Sequence, residues 1–506
     1  MHRLMSVPWV WWICEFFLFA GLTVLGFAFV APFRHTTLNA LLIVAPLLLV
    51  FLFLPAAQML CLKSGELVRS FTWWQGLWLL LFLSGLVFRV RDEHDIQQSA
   101  LDGWAAYRVL LDALVGAVLI KRLVTGKTHW FRPLFSGLIG LMAIYPLICA
   151  VSAMWSVAPA FTMFRATEYL LDLSLLACIV TTLHSVEDYE RFANWTWTLL
   201  ALLVASAWIG AIWDPADALI QSYSYGPLSI RLEGVCPGVD ANSIGEFCAI
   251  LASIALCRIL DDPQRKYDRS WYRFLFLAAL VTLFFTQTRA AIAAFLISLV
   301  LLFLLTRRFV LGAVLGMTAC VFGVILALYT HLGDTVSSYL LRGQSVSEAE
   351  ALSGRAQLWQ FATQKILERP WLGYGGYAGG RFVILPGLGI PGKTDVLNTL
   401  VESLLDVGVC GPLVLIIVLG AILWYVGRSS FRFSLKPTER HFAVEILLAM
   451  VVVSVRSMVS GNITSHPAVA FLTVLGCAEF LRRRLRSRRH LPESSTPPCL
   501  AEGESP

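Results

Sequence analysis

Apolar runs of about 20 residues recur along nearly the whole chain, each long enough to cross a hydrocarbon core of roughly 30 Å. Inside such a core each segment must satisfy its own backbone hydrogen bonds, so runs of this length form α-helices. The composition agrees: 58% of the 506 residues are hydrophobic and 14% are charged, where a soluble domain carries about 25% charged residues. The fold class expected is all-α: a polytopic membrane protein with about fourteen transmembrane helices. They fall near 8–32, 39–61, 72–89, 104–120, 133–152, 163–183, 195–213, 241–260, 271–286, 289–306, 309–330, 399–426, 441–459 and 466–481. The first run is too long for a cleavable signal peptide and contains Glu15, so it reads as the first membrane helix. In the fourth, Arg108 and Asp112 stand at i, i+4 spacing and are expected to pair on one helix face. So little hydrophilic surface argues against a nucleic-acid partner and for the lipid bilayer.

Sidedness follows from Lys and Arg in the short loops. With a cytoplasmic N-terminus, the inner segments collect "KRLVTGK" (121–127), "RKYDRSWYR" (265–273), Arg307–Arg308, "RSSFRFSLKPTER" (428–440) and "RRRLRSRR" (482–489). Both termini are then cytoplasmic, and the longest interruption, 331–398, lies on the outer side. The expected organisation is 1–330, N-terminal membrane helices; 331–398, an outer loop with an amphipathic helix; 399–481, C-terminal membrane helices; and 482–506, a basic, disordered tail. Its arginines suit anionic lipid of the inner leaflet. Most of the eleven cysteines lie in apolar runs, where a thiol acts as a small hydrophobe. Cys236 falls in an outer loop without an obvious partner. No internal repeat of the transporter kind is visible.

Arginines on the outer side oppose the positive-inside bias and call for a reason. Arg289, in the tight turn of "TQTRAAIAAF" (286–295), sits at membrane depth or just above it, where an ionised residue is a functional candidate and snorkelling to the interface is the ordinary alternative. Arg165 and Arg456 stand at outer helix ends; Arg231, Arg342, Arg355, Arg369 and Arg381 stand in outer loops. Residues 353–381, "SGRAQLWQFATQKILERPWLGYGGYAGGR", read as an amphipathic helix capped by Ser353, with Leu358, Ala362 and Ile366 on one face and a stop at Pro370. It would lie on the membrane–water interface, anchored by Trp359 and Trp371. Arg355 would then sit at headgroup level, and its planar fork suits a phosphate. The loop "GYGGYAGG" (373–380) could let backbone approach a sugar or phosphate; the more ordinary reading is a flexible connector.

Five stretches together resemble the bacterial O-antigen ligase and polysaccharide polymerase superfamily: "SAMWSVAP" (152–159), "RLEGVCPGVDANSIG" (231–245), "TQTRAAIAAF" (286–295), "SGRAQLWQFATQKILERPWLGYG" (353–375) and "LNTLVESLLDVGVCG" (397–411). They cover about half the chain in order and spacing. The resemblance implies a multi-pass protein of the bacterial cytoplasmic (inner) membrane. It would take an undecaprenyl-diphosphate-linked glycan as donor and transfer the glycan to a sugar or lipid acceptor hydroxyl, as in O-antigen or exopolysaccharide synthesis. Arg289 and Arg355 resemble the family's diphosphate-binding arginines, and Asn242 and Gly245 its "N…G" helix start; in the mechanism expected from this, Arg231 and Arg456 would assist. No cofactor is implied. One position departs: the ligases carry His–Asn at the end of the outer loop, and this chain has Leu397–Asn398. Leucine accepts no proton, which leaves a polymerase, a divergent transferase or an inactive homologue. The polar candidates nearby are Asp395, Glu402 and Asp406, the last two i, i+4 on the following helix, and His466 is a further candidate base; the ordinary reading of Glu402 and Asp406 is a hydrated helix mouth.

Two other classes compete. A lipid-linked glycan flippase suits the helix number, though its cationic sites belong deep in a two-fold-related cavity. A metal-dependent transferase would use "RVRDEHD" (89–95), with Asp92, Glu93 and Asp95 on the cation and His94 as base. The arginines make a metal unnecessary in the favoured reading.

Overall fold

A computed structural model of the chain describes residues 71–86, 103–125, 130–221, 230–261, 269–308, 312, 317, 355–388, 396–431 and 436–487. The expected helices at 8–32 and 39–61, nearly all of 309–330, the 89–95 cluster, the loop before Arg355, Asp395 and the tail after Ser487 lie outside these residues.

The described part is mostly helical. Its longer helices are α1 (Trp73–Ser84), α2 (Gly103–Val124), α3 (Gly137–Ser152), α4 (Pro159–Thr182), α5 (Val186–Trp213), α6 (Ala241–Asp261), α7 (Arg269–Thr286) and α8 (Arg289–Leu305). After the gap come α9 (Arg355–Glu368), α10 (Thr399–Val407), α11 (Cys410–Phe431), α12 (Pro437–Ser457) and α13 (Val469–Ser487). Local chemistry fixes several starts. Ser185 and Asp188 form a reciprocal capping box on α5, each side chain accepting the other's N–H at 3.1 Å. Asp240 accepts the N–H groups of Asn242 and Ser243 at 2.6 and 2.9 Å and so starts α6.

Among the described residues, α2, α5, α6 and α11 are long and apolar enough to cross a membrane. Others of comparable length carry charge instead: Arg165, Glu168 and Asp172 interrupt α4, and Glu439, Arg440, Glu445 and Arg456 interrupt α12. α12 is nonetheless among the most buried elements, packed against α6, α8 and α11. Large apolar side chains point outward on α5 (Leu202, Ile209, Ile212, Trp213) and α11 (Leu413, Ile416, Ile417, Trp424). An apolar belt of this kind suits lipid rather than water.

Polar ties replace the hydrophobic drive that lipid does not supply between helices. The Trp78 indole donates to Thr196 at 3.0 Å, and Thr196 meets Thr473 at 2.8 Å. The hydroxyls of Ser253 and Ser298 join α6 to α8 at 2.6 Å. Near the other end of α6, Arg258 donates through Nε to Glu445 at 2.8 Å, and also to Tyr272 and Asn194.

Four expectations are corrected. Arg108 does not make its ion pair with Asp112 but turns across to α4, where Nε and Nη2 grip Glu168 at 2.6 and 2.9 Å; a bidentate carboxylate is the better partner. The helix expected over 399–426 breaks at Gly408, whose φ of +65° ends α10. The basic run from Arg482 is not all tail: α13 continues to Ser487, and Arg482 and Arg483 both bond Glu479. Two small antiparallel hairpins also stand between α5 and α6, pairing Leu219–Gln221 (β1) with Ile230–Leu232 (β2) and Gly234–Val235 (β3) with Gly238–Val239 (β4).

Candidate active site

Hydrogen bonds tie the turn after α7 to β2 and the start of α6, the turn after α12 to Asn398 and Thr399, and the α3–α4 corner to residues 372–376. Thr286, Gln287 and Thr288 between α7 and α8 are buried. Gln287 takes φ +50° and donates to the Ile230 carbonyl at 2.7 Å, while Thr288 donates to the Ala241 carbonyl at 2.9 Å. A Cβ on Gly245 would stand 2.8 Å from that of Thr288, so the glycine allows α6 to pack on this turn. Arg289 is the first residue of α8 and is partly buried. Arg231, on β2, donates to the Thr286 carbonyl at 3.3 Å and faces Glu233 at 3.4 Å. Burial raises the Glu233 carboxyl above its usual range, and Arg231 pulls the other way.

Arg456 lies deeper than its place at a helix end suggests. It is 1% exposed, 3.6 Å from Glu246, and donates to the Asn242 carbonyl at 3.3 Å. Glu246 is held in turn by Asn462 at 2.7 Å. Arg456 and Asn242 thus brace the start of α6 against the turn after α12.

The glycine loop is not a flexible connector. Its Tyr374 and Gly375 N–H groups each donate at 2.8 Å to α10, to the carbonyls of Leu405 and Asp406 respectively. On the other side, Gly376 donates to Ser152 Oγ at 2.8 Å, Thr162 donates to the Gly376 carbonyl at 2.8 Å, and the Trp155 indole donates to the Leu372 carbonyl at 2.9 Å. At Gly375, with φ +105°, a Cβ would come 2.1 Å from Ser156 Oγ. The loop is a wedge between the α3–α4 corner and α10. Asp406 belongs to it: 1% exposed, it accepts the Gly379 N–H at 3.0 Å. A hydrated helix mouth is therefore wrong for Asp406, whereas Glu402, one turn earlier, is partly exposed.

The amphipathic helix exists as α9, but its apolar face meets protein. Leu358 and Ala362 are buried with Tyr374, Ile384, Val396 and Leu405, and Trp359 donates to the Val396 carbonyl at 3.1 Å. Trp371 is exposed. Tyr374 and Lys365 both bond the Glu368 carboxylate, at 2.9 and 2.7 Å, and hold it below the usual carboxylate range. Arg355 opens α9. A π-helical turn, Gly380–Ile384, places Arg381 over the Phe161 ring at 5.4 Å.

Asn398 is the N-cap of α10. Its Oδ1 accepts from Leu400 and Val401 at 3.0 and 3.1 Å, and its Nδ2 donates to the Met458 carbonyl at 2.9 Å. The amide is committed to the fold rather than offered to a substrate. Leu397 beside it has φ +58°, a region costly for a branched side chain. His466 is buried between Asp172 and Ser84, at 2.7 and 2.9 Å from its two ring nitrogens, and so is not an open base. Sequence reasoning noticed Asp112 but paired it with Arg108, and passed over Glu168 and Asp172, whose signal was carboxylates inside apolar runs.

Residues 274–416 match the family model described as O-Antigen ligase. This part of the chain is similar to that family, which supports membership of the O-antigen ligase and polymerase superfamily. No curated protein matches the chain. The matched segment runs from α7 into α11 and includes Arg289, Arg355, the glycine wedge, Glu402 and Asp406. Arg231, Asn242, Arg456 and His466 fall outside it.

Proposed function

We propose that the protein is a membrane glycan polymerase or ligase of the bacterial cytoplasmic membrane. It moves an oligosaccharide from an undecaprenyl-diphosphate carrier to an acceptor hydroxyl on the outer side. The observation that carries this reading is the family match, which spans both Arg289 and Arg355. The acceptor oxygen forms the new bond to the anomeric carbon as the bond to the diphosphate oxygen breaks, with inversion. The electron pair leaves on the diphosphate, and Arg289 and Arg355 stabilise the charge that grows there. Of the two carboxylates on α10, Asp406 is tied to the glycine wedge, so Glu402 takes the acceptor's proton. Arg231 stands at the same turn as Arg289 and assists it. Two guanidiniums supply the positive charge this step needs, and it is written without a metal.

The test is transfer by purified protein and its Arg355→Ala variant on an undecaprenyl-diphosphate oligosaccharide, resolved by gel and mass spectrometry. A ladder of longer glycans, about 10²–10³ slower in the variant, identifies a polymerase; one added unit on a new acceptor identifies a ligase-type transferase. No new glycosidic bond under any acceptor condition would overturn the reading in favour of a flippase or an inactive member. A strict requirement for added Mg²⁺ would overturn the metal-free step alone.

A further inference from the structure

A second polar cluster lies where α1, α2, α4 and the turn before α13 meet. Asp112 comes from α2, Glu168 and Asp172 from α4, and His466 from the turn; all four are buried. Asp112, Glu168 and His466 each place one ligand-type atom within 4.8 Å of the others. His466 Nδ1 is 2.7 Å from Asp172 Oδ1, and its Nε2 is 3.6 Å from Asp112 Oδ1.

Three observations point to a cation here. Asp172 Oδ2 and both oxygens of Asp112 have no hydrogen-bond partner, a costly state for buried carboxylates. Three carboxylates face two guanidiniums, Arg108 and Arg165, which both bond Glu168. The geometry around His466 also fits the pattern of metal-bound histidines, in which Nδ1–H donates to a carboxylate and the Nε2 lone pair is left for the ion. Ser84 shares Nε2 at 2.9 Å but can place its own proton on the Leu81 carbonyl, also at 2.9 Å. Mixed carboxylate and imidazole donors select a first-row dication such as Zn²⁺ or Mn²⁺ over Mg²⁺ or Ca²⁺.

We propose that Asp112, Glu168 and His466 bind one transition-metal dication, with Asp172 as the positioning residue that orients His466. The ion joins α2 and α4 to the turn leading into α13. It takes no part in glycan transfer.

The full chain is purified in detergent through a tag that needs no metal column, and its metal content is measured by mass spectrometry. Thermal unfolding is followed before and after chelation. The expected result is close to one equivalent of a first-row metal per chain, lost in Asp112→Asn and His466→Gln. Chelation lowers the unfolding temperature and the same ion restores it; Asp172→Asn weakens binding about 10- to 100-fold. Should a variant fail to fold, Co²⁺ titration of the chelated wild type keeps the test open, through the visible bands of a nitrogen- and oxygen-ligated ion. A folded wild type without metal, whose unfolding ignores added Zn²⁺, Mn²⁺ and Co²⁺, overturns the proposal, as does equal metal content in Asp112→Asn. Neither result bears on whether the protein transfers glycans.

Discussion

Single residues at the glycine wedge show how function and fold share the same atoms. Gly375 combines a positive φ with the absence of room for a Cβ beside Ser156, so Gly375→Ala is strained on both counts. We expect about 1–3 kcal/mol of lost stability, read as a lower unfolding temperature, and reduced transfer even at temperatures where the variant is folded. The glycine cluster was visible in the sequence, but its purpose was not, because a loop's partners lie far away in the chain. Asn398 had the same ambiguity. An asparagine before a short apolar run signals a helix start, yet the same residue at a family-matched position suggests substrate contact, and its hydrogen bonds decide for the cap. Leu397 is the plainest departure: its identity was evident, while its left-handed backbone was not.

At the scale of elements, the length and position of the apolar runs placed most described helices to within a few residues. One kind of miss came where charge overrides pattern. Arg108 chose Glu168 on another helix over Asp112 on its own, and no spacing rule reaches across helices. Arg258 and Glu445 are a second such pair, buried between α6 and α12. Breaking one partner strands a buried charge, so Arg258→Met should cost about 3–5 kcal/mol. The double change Arg258→Met with Glu445→Leu should recover much of it, since an apolar pair of similar volume suits the site. Unfolding curves of the two variants check this, and equal losses would show that packing at Arg258, not its charge, matters. The amphipathic pattern of α9 was legible too. The surface it covers was not, because periodicity gives a face without naming what lies against it.

For the molecule as a whole, the apolar runs and the distribution of Lys and Arg carry the reading of a multi-pass protein, and the lipid-suited belts on α5 and α11 agree with it. The favoured sidedness puts the α9–α10 end outside and the Arg258 end inside. Green fluorescent protein joined after Ser487 should therefore fluoresce, and alkaline phosphatase joined after Leu388 should be active. The opposite pattern would move the candidate site to the cytoplasm and remove the lipid-diphosphate reading with it.

The wedge also limits how parts of this chain can be exchanged. Gly376 and Leu372 lie within the family-matched segment, yet their partners Ser152, Thr162 and Trp155 lie more than a hundred residues before it. The matched segment is therefore not a portable module. A chimera that imports a relative's 274–416 would set a foreign loop against this chain's own corner, and the smallest unit that travels intact must bring residues 149–162 along.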